Sequence, residues 1–217
     1  MMVAEGYAAV RASVDAAARR AGRDPASIAL VGVTKRQSRE AVESALAAGL
    51  HDVAESYVQE AVPKLAGLAA CKHFIGHIQT NKAKAIVATF DVVQSIDRLD
   101  AGLAIAKAAR SANRPMRALV QINISRTERY GVAPDDAPAL AERLRSDEGL
   151  AIDGIMAIAP NTDDRAEIAR AFARAAETLV AVGGTTLSIG MSGDYEQAID
   201  CGSTMLRIGT AIFGART

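Results

Sequence analysis

Short apolar runs rich in β-branched residues alternate along the whole chain with longer alanine-rich stretches that carry charges at helical spacing. Polar residues or glycine close each run. Eight runs fit this description, at 28–35, 52–56, 73–78, 92–96, 117–123, 152–158, 186–191 and 205–213, with helical stretches between them such as 38–48, 99–112, 135–145 and 165–180. Runs like Ile28-Ala29-Leu30-Val31-Gly32-Val33 are apolar at nearly every position, as expected of a parallel sheet covered on both faces. Regular βα alternation with that strand type means an α/β protein. Eight units behind an extra N-terminal helix at 1–22 predict a closed (β/α)8 TIM barrel, with an open doubly wound sheet as the competing arrangement. At 217 residues the barrel is short, and no Pro/Gly/Ser-rich linker divides it, so one domain spanning 1–217 is expected. Thr217 follows the eighth run closely, and no C-terminal β domain is expected.

Charge narrows the partners. Lys plus Arg (25) balance Asp plus Glu (25), which gives no global positive field for nucleic acid or an anionic membrane surface. Charges interrupt residues 1–22, unlike the core of a signal peptide, and no segment approaches the ~18 apolar residues of a membrane span. The cytoplasm is the expected compartment. Cys71 and Cys201 lie far apart without a CxxC or Cys/His framework, so both read as reduced thiols and no metal site is expected.

In such a barrel the chemistry sits where the strands end, and a phosphate is commonly held by the loops after strands seven and eight. Those loops contain Ser192-Gly193 and Gly209-Thr210, small residues that let a backbone approach an anion and hydroxyls that add donors. Arg207 interrupts the apolar run Met205-Leu206-Arg207-Ile208, where a guanidinium needs a ligand or a carboxylate as partner. Lys35 ends the first run and places an amine in the barrel mouth, able to form an imine. Amine, phosphate cradle and buried cation together match pyridoxal 5'-phosphate (PLP).

The motifs Val31-Gly-Val-Thr-Lys35, Glu55-Ser-Tyr-Val-Gln-Glu60, His73-Phe-Ile-Gly-His-Ile-Gln-Thr-Asn-Lys82, Leu187-Ser-Ile-Gly-Met-Ser-Gly-Asp194 and Ser203-Thr-Met-Leu-Arg-Ile-Gly-Thr-Ala-Ile-Phe-Gly214 resemble those of the PLP homeostasis (YggS or PROSC) family. The barrel of that family is similar to the barrel domain of alanine racemase. The resemblance implies that Lys35 carries PLP as a Schiff base and that Ser192, Gly209 and Thr210 hold its phosphate. It further implies that Arg207 faces the pyridine nitrogen and that Met156 lies near the ring. The implied role is PLP (vitamin B6) homeostasis without catalysis, by a monomer that carries PLP and delivers it to PLP-dependent apo-enzymes. Three positions depart from the family pattern. Ser56 stands for the usual asparagine, Arg129 in segment 125–131 for a frequent lysine, and His77 for a common proline. His77 and His73 would share a strand face without a third ligand.

Two other readings compete. A racemase needs an acid/base tyrosine, for which Tyr57 and Tyr130 lie near predicted strand ends. A phosphosugar enzyme needs a carboxylate base, for which Glu55 and Asp97 suggest themselves, although nothing pairs them.

Overall fold

The computed structural model describes residues 2–125, 127, 129–146 and 149–214. Met1, Arg126 and Glu128 of the 125–131 segment, and the chain end at Thr217 lie outside the described residues. Eight parallel strands close in sequence order into a barrel. They are β1 (Ala29–Val33), β2 (Asp52–Glu55), β3 (Cys71–Phe74), β4 (Val92–Ile96), β5 (Met116–Ile122), β6 (Leu150–Ala157), β7 (Thr186–Ser188) and β8 (Met205–Ile208). β1 pairs with β2 on one side and β8 on the other, which rules out the open sheet. The helix Val3–Arg20 precedes the barrel, and helices including Arg39–Ala47, Leu99–Ser111 and Arg165–Val182 cover it. No helix among the described residues is long and apolar enough to cross a membrane.

The apolar pattern follows from this layering. The main core lies between barrel and helices, where Phe74, Phe90, Ile105 and Phe172 are buried. Within the barrel Val31, Ala54 and Met205 form only a small apolar cluster, and the buried His73, Gln94, Ser188 and Arg207 make much of the interior polar. Asp164 caps the longest covering helix, accepting hydrogen bonds from the N–H groups of Ala166 and Glu167 (2.8 and 3.2 Å). Replacing it, Asp164→Ala, is expected to lower stability by about 1 kcal/mol. An unchanged urea midpoint would show that the helix end is held by other means.

Several strands are shorter than the sequence predicts, for local reasons. β3 starts two residues early at Cys71 and stops at Phe74, because Gly76 turns there against Ser56. A Cβ at that glycine would collide with the Ser56 carbonyl. β7 stops at Ser188, with Gly190 at φ 97° bending the chain. β8 stops at Ile208, and Thr210–Phe213, read as strand from its apolar residues, is a short helix.

Candidate functional site

Lys35, Met156, Ser192, Arg207, Gly209 and Thr210, the six residues singled out in the sequence, line one cavity of about 270 Å³ beyond the C-terminal strand ends. Alternation explains the convergence. Val31 and Met205 point into the barrel, so Arg207, two residues beyond Met205 on β8, points the same way, and Lys35 reaches the cavity from the turn that follows β1. Gln37, Ile75 and Met191 also line the cavity and carry no sequence signal of their own. Ser56 lines it too.

Arg207 is 4% exposed, and its terminal nitrogens are tied to the barrel wall. One donates to the Ser188 carbonyl (2.6 Å) and hydroxyl (2.7 Å), the other to the Ala157 carbonyl (2.8 Å). Burial lowers this guanidinium to about 10, opposed by the charge of Asp194, so it stays protonated at neutral pH. Carbonyl oxygens thus take the place of the carboxylate partner that a buried arginine would otherwise need. Asp194 instead accepts the Met191 N–H (2.6 Å) and braces the loop that carries Ser192 and Gly193. Burial pushes the Asp194 carboxyl above its ordinary range, against the pull of that N–H and of Arg207. Among the described residues, no acceptor pairs with the backbone N–H groups of Ser192 and Gly193, which suits an anion cradle.

From Arg207 a hydrogen-bonded ladder runs down through the barrel. The Ser188 hydroxyl donates to Gln94 Oε1 (2.7 Å), and Gln94 Nε2 donates to His73 Nδ1 (2.8 Å). His73 Nε2 then donates to Asp52 Oδ1 (2.9 Å). With the His73 ring proton on Nε2, every donor points the same way, from the guanidinium toward the carboxylate, and each link polarises the next. Gln94 and Ser188 escaped the sequence reading. Their one signal was a polar residue at a buried position of an apolar strand.

Lys35 sits in a loop held from behind. Lys64, 7% exposed, donates to the carbonyls of Thr34 (2.7 Å) and Gln37 (3.2 Å) and to Glu60 (2.7 Å), and it pairs with the fully buried Glu55. Thr34 also donates to Glu55 (2.9 Å), and Glu60 accepts the Arg36 N–H (2.6 Å). Arg36, next to Lys35, is left-handed at φ 60°, a conformation that costs an arginine about 1–2 kcal/mol and needs such bracing.

The remaining candidates lie elsewhere. Glu55 is spent on Lys64, and Asp97 pairs with Arg98 (3.1 Å), so neither stands at the cavity as a base. Arg129 donates to the Ala159 carbonyl (3.2 Å) and lines a separate hollow across Ile158. His77 is exposed and stacks on Tyr130 (4.2 Å between ring centres), whereas His73 is buried in the barrel. The two histidines therefore do not share a strand face as expected, because β3 ends between them.

The chain matches the family model of the alanine racemase N-terminal domain over residues 7–217. It is 44% identical to the pyridoxal phosphate homeostasis protein of Pseudomonas aeruginosa, over 99% of this chain and 96% of that protein. For the protein of the same name from Escherichia coli K12 the identity is 38%, over 99% and 97%. Among solved structures it is similar to PipY of Synechococcus elongatus PCC7942 with PLP bound, at a TM-score of 0.84 and 30% identity over 98% of this chain and all of that one (100%). Alanine racemase of Clostridium difficile 630 aligns over 87% of this chain and 52% of its own, at a TM-score of 0.75 and 16% identity, a likeness of fold alone.

Proposed function

Because the chain belongs to the pyridoxal phosphate homeostasis protein family, we propose that it binds PLP in the Lys35 cavity and carries it for intracellular supply, without turning over a substrate. The observation that carries this reading is the meeting of Lys35, the buried Arg207 and the Ser192–Gly193 and Gly209–Thr210 loops around one cavity. Its volume, about 270 Å³, lies just below the usual range of ligand pockets, about 300–1,000 Å³.

The residues fit the group. Lys35 would hold the group through its side-chain amine, as a Schiff base. Ser192, Gly209 and Thr210 would take the phosphate on hydroxyl and backbone donors. Met156, 1% exposed, would form the apolar wall against the ring. When bound, PLP supplies an aldehyde and an electron-withdrawing ring. Arg207 holds its proton too tightly to transfer it to the ring nitrogen, so that ring withdraws electrons less strongly than one paired with a carboxylic acid. Among the described residues, no tyrosine lines the cavity to serve as a racemase acid/base. Storage and delivery of PLP, with apo-enzymes as recipients, suit such a site better than carbanion chemistry.

The test is spectroscopic and chemical. Added PLP is expected to produce a visible imine band, and borohydride reduction should leave the pyridoxyl label on the peptide containing Lys35. A protein that stays colourless, or a label spread over other lysines, would refute the reading. Steady turnover of an amino acid would refute its non-catalytic part.

A further inference from the structure

At the opposite end of the barrel, three side chains of three ligand types converge. Asp52 and Cys71 open β2 and β3 and are register partners, and His73 lies two residues along β3 on the same inward face. Their ligand atoms all lie within 4.8 Å of one another. His73 Nε2 is 2.9 Å from Asp52 Oδ1 and 3.4 Å from Cys71 Sγ. Tetrahedral zinc, with bonds of ~2.0 to 2.3 Å, separates its ligand atoms by about 3.3–3.6 Å. The cluster thus needs only a small expansion to admit a metal.

The geometry points to a divalent transition-metal site here, taking Zn²⁺ or Co²⁺ through Asp52, Cys71 and His73 with a fourth position left to water. Thiolate with imidazole selects these borderline ions over Mg²⁺ and Ca²⁺, which require oxygen ligands. The support that such a histidine needs is one amide turn away. Metal-bound imidazole donates its other ring N–H to a fixed acceptor, and the Gln94 amide lies 2.8 Å from His73 Nδ1. Turned over, that amide presents its oxygen to the ring and its nitrogen to Ser188. Charge balances as well, since a carboxylate and a thiolate neutralise the divalent ion. Cys71 gives up its proton to solvent as the sulfur–metal bond forms. Burial, with Asp52 and Asp91, pushes that thiol up to about 12, which leaves it inert as a free nucleophile. Cys71 and Asp52 are both part-exposed, so an ion can enter.

The site lies at the other end of the barrel from the Lys35 cavity and shares no residue with it, and one experiment separates the two. Chelator-treated full-length protein is titrated with Co²⁺, and PLP uptake is measured in parallel. We expect one Co²⁺ per chain, with the ligand-field bands of a four-coordinate ion, a thiolate-to-cobalt charge-transfer band, and bleaching by Zn²⁺. Cys71→Ser should abolish the charge-transfer band, and both it and Asp52→Asn should weaken Co²⁺ binding ~100-fold or more, since even lost supporting contacts cost 10–100-fold. PLP uptake should be unchanged in Cys71→Ser. Both substitutions are nearly isosteric. Absence of the bands, or bands that survive both substitutions, would overturn the proposal.

Discussion

Replacing Lys64 with methionine is expected to lower the folding free energy by about 3–5 kcal/mol, the usual consequence of removing one partner from a buried ion pair. Methionine fills the space of the lysine stem but strands the Glu55 carboxylate, which is fully buried, and leaves the carbonyls of Thr34 and Gln37 without the ammonium. Burial already holds Glu55 above the usual carboxylate range, with Lys64 the main opposing influence and Thr34 a smaller one. Removing Lys64 should raise it further. A carboxyl whose folded value exceeds its unfolded value is protonated first in the native state, so stability rises as pH falls through the window between the two. The deficit of the variant should therefore be complete above that window and shrink on acidification through it. Urea unfolding at a series of pH values measures both effects. A deficit below about 1 kcal/mol, or one independent of pH, would show that Lys64 is a surface-like pair of little worth. The same change frees the loop around the left-handed Arg36, so PLP retention should fall together with stability.

The legibility of this protein divides along the strands. Lys35, Ser192, Arg207 and Thr210 could be found from the sequence because a barrel brings strand ends together whatever lies between them. Lys64 and Glu55 show the opposite case. Lys64 stands in the helix Val58–Leu65, which contains Pro63 and falls between the second and third runs as the βα alternation requires, but only packing reveals that its amine turns in toward β2. The interior ladder was hidden for another reason. Gln94 and Ser188 belong to strands whose residues are buried on both faces, so hydropathy does not separate the inward set from the outward one. His73 and His77 were misread because Gly76, which ends the strand between them, looks in sequence like one more residue of an apolar run.

Arg207 is where the ladder and the cavity meet, and its replacement by methionine should separate two kinds of loss. If Arg207 faces a bound cofactor as proposed, removing a charge-assisted hydrogen bond worth about 1.5–3 kcal/mol should weaken PLP retention roughly 10–100-fold. Stability should fall independently, because the Ser188 and Ala157 carbonyls and the Ser188 hydroxyl lose their donor in a buried setting. Ser188→Ala is the control. It takes away one anchor of the guanidinium and one rung of the ladder but leaves the charge lining the cavity, so it should destabilise the fold with a smaller effect on retention. Lys35→Ala provides the other limit, removing the imine while leaving the ladder intact. Retention is read from the rate at which PLP leaves the loaded protein on dilution, and stability from urea unfolding of the same variants without PLP. If Arg207→Met loses stability yet holds PLP as well as the parent does, the guanidinium is a strut of the barrel and the cofactor is recognised by Lys35 and the phosphate loops alone.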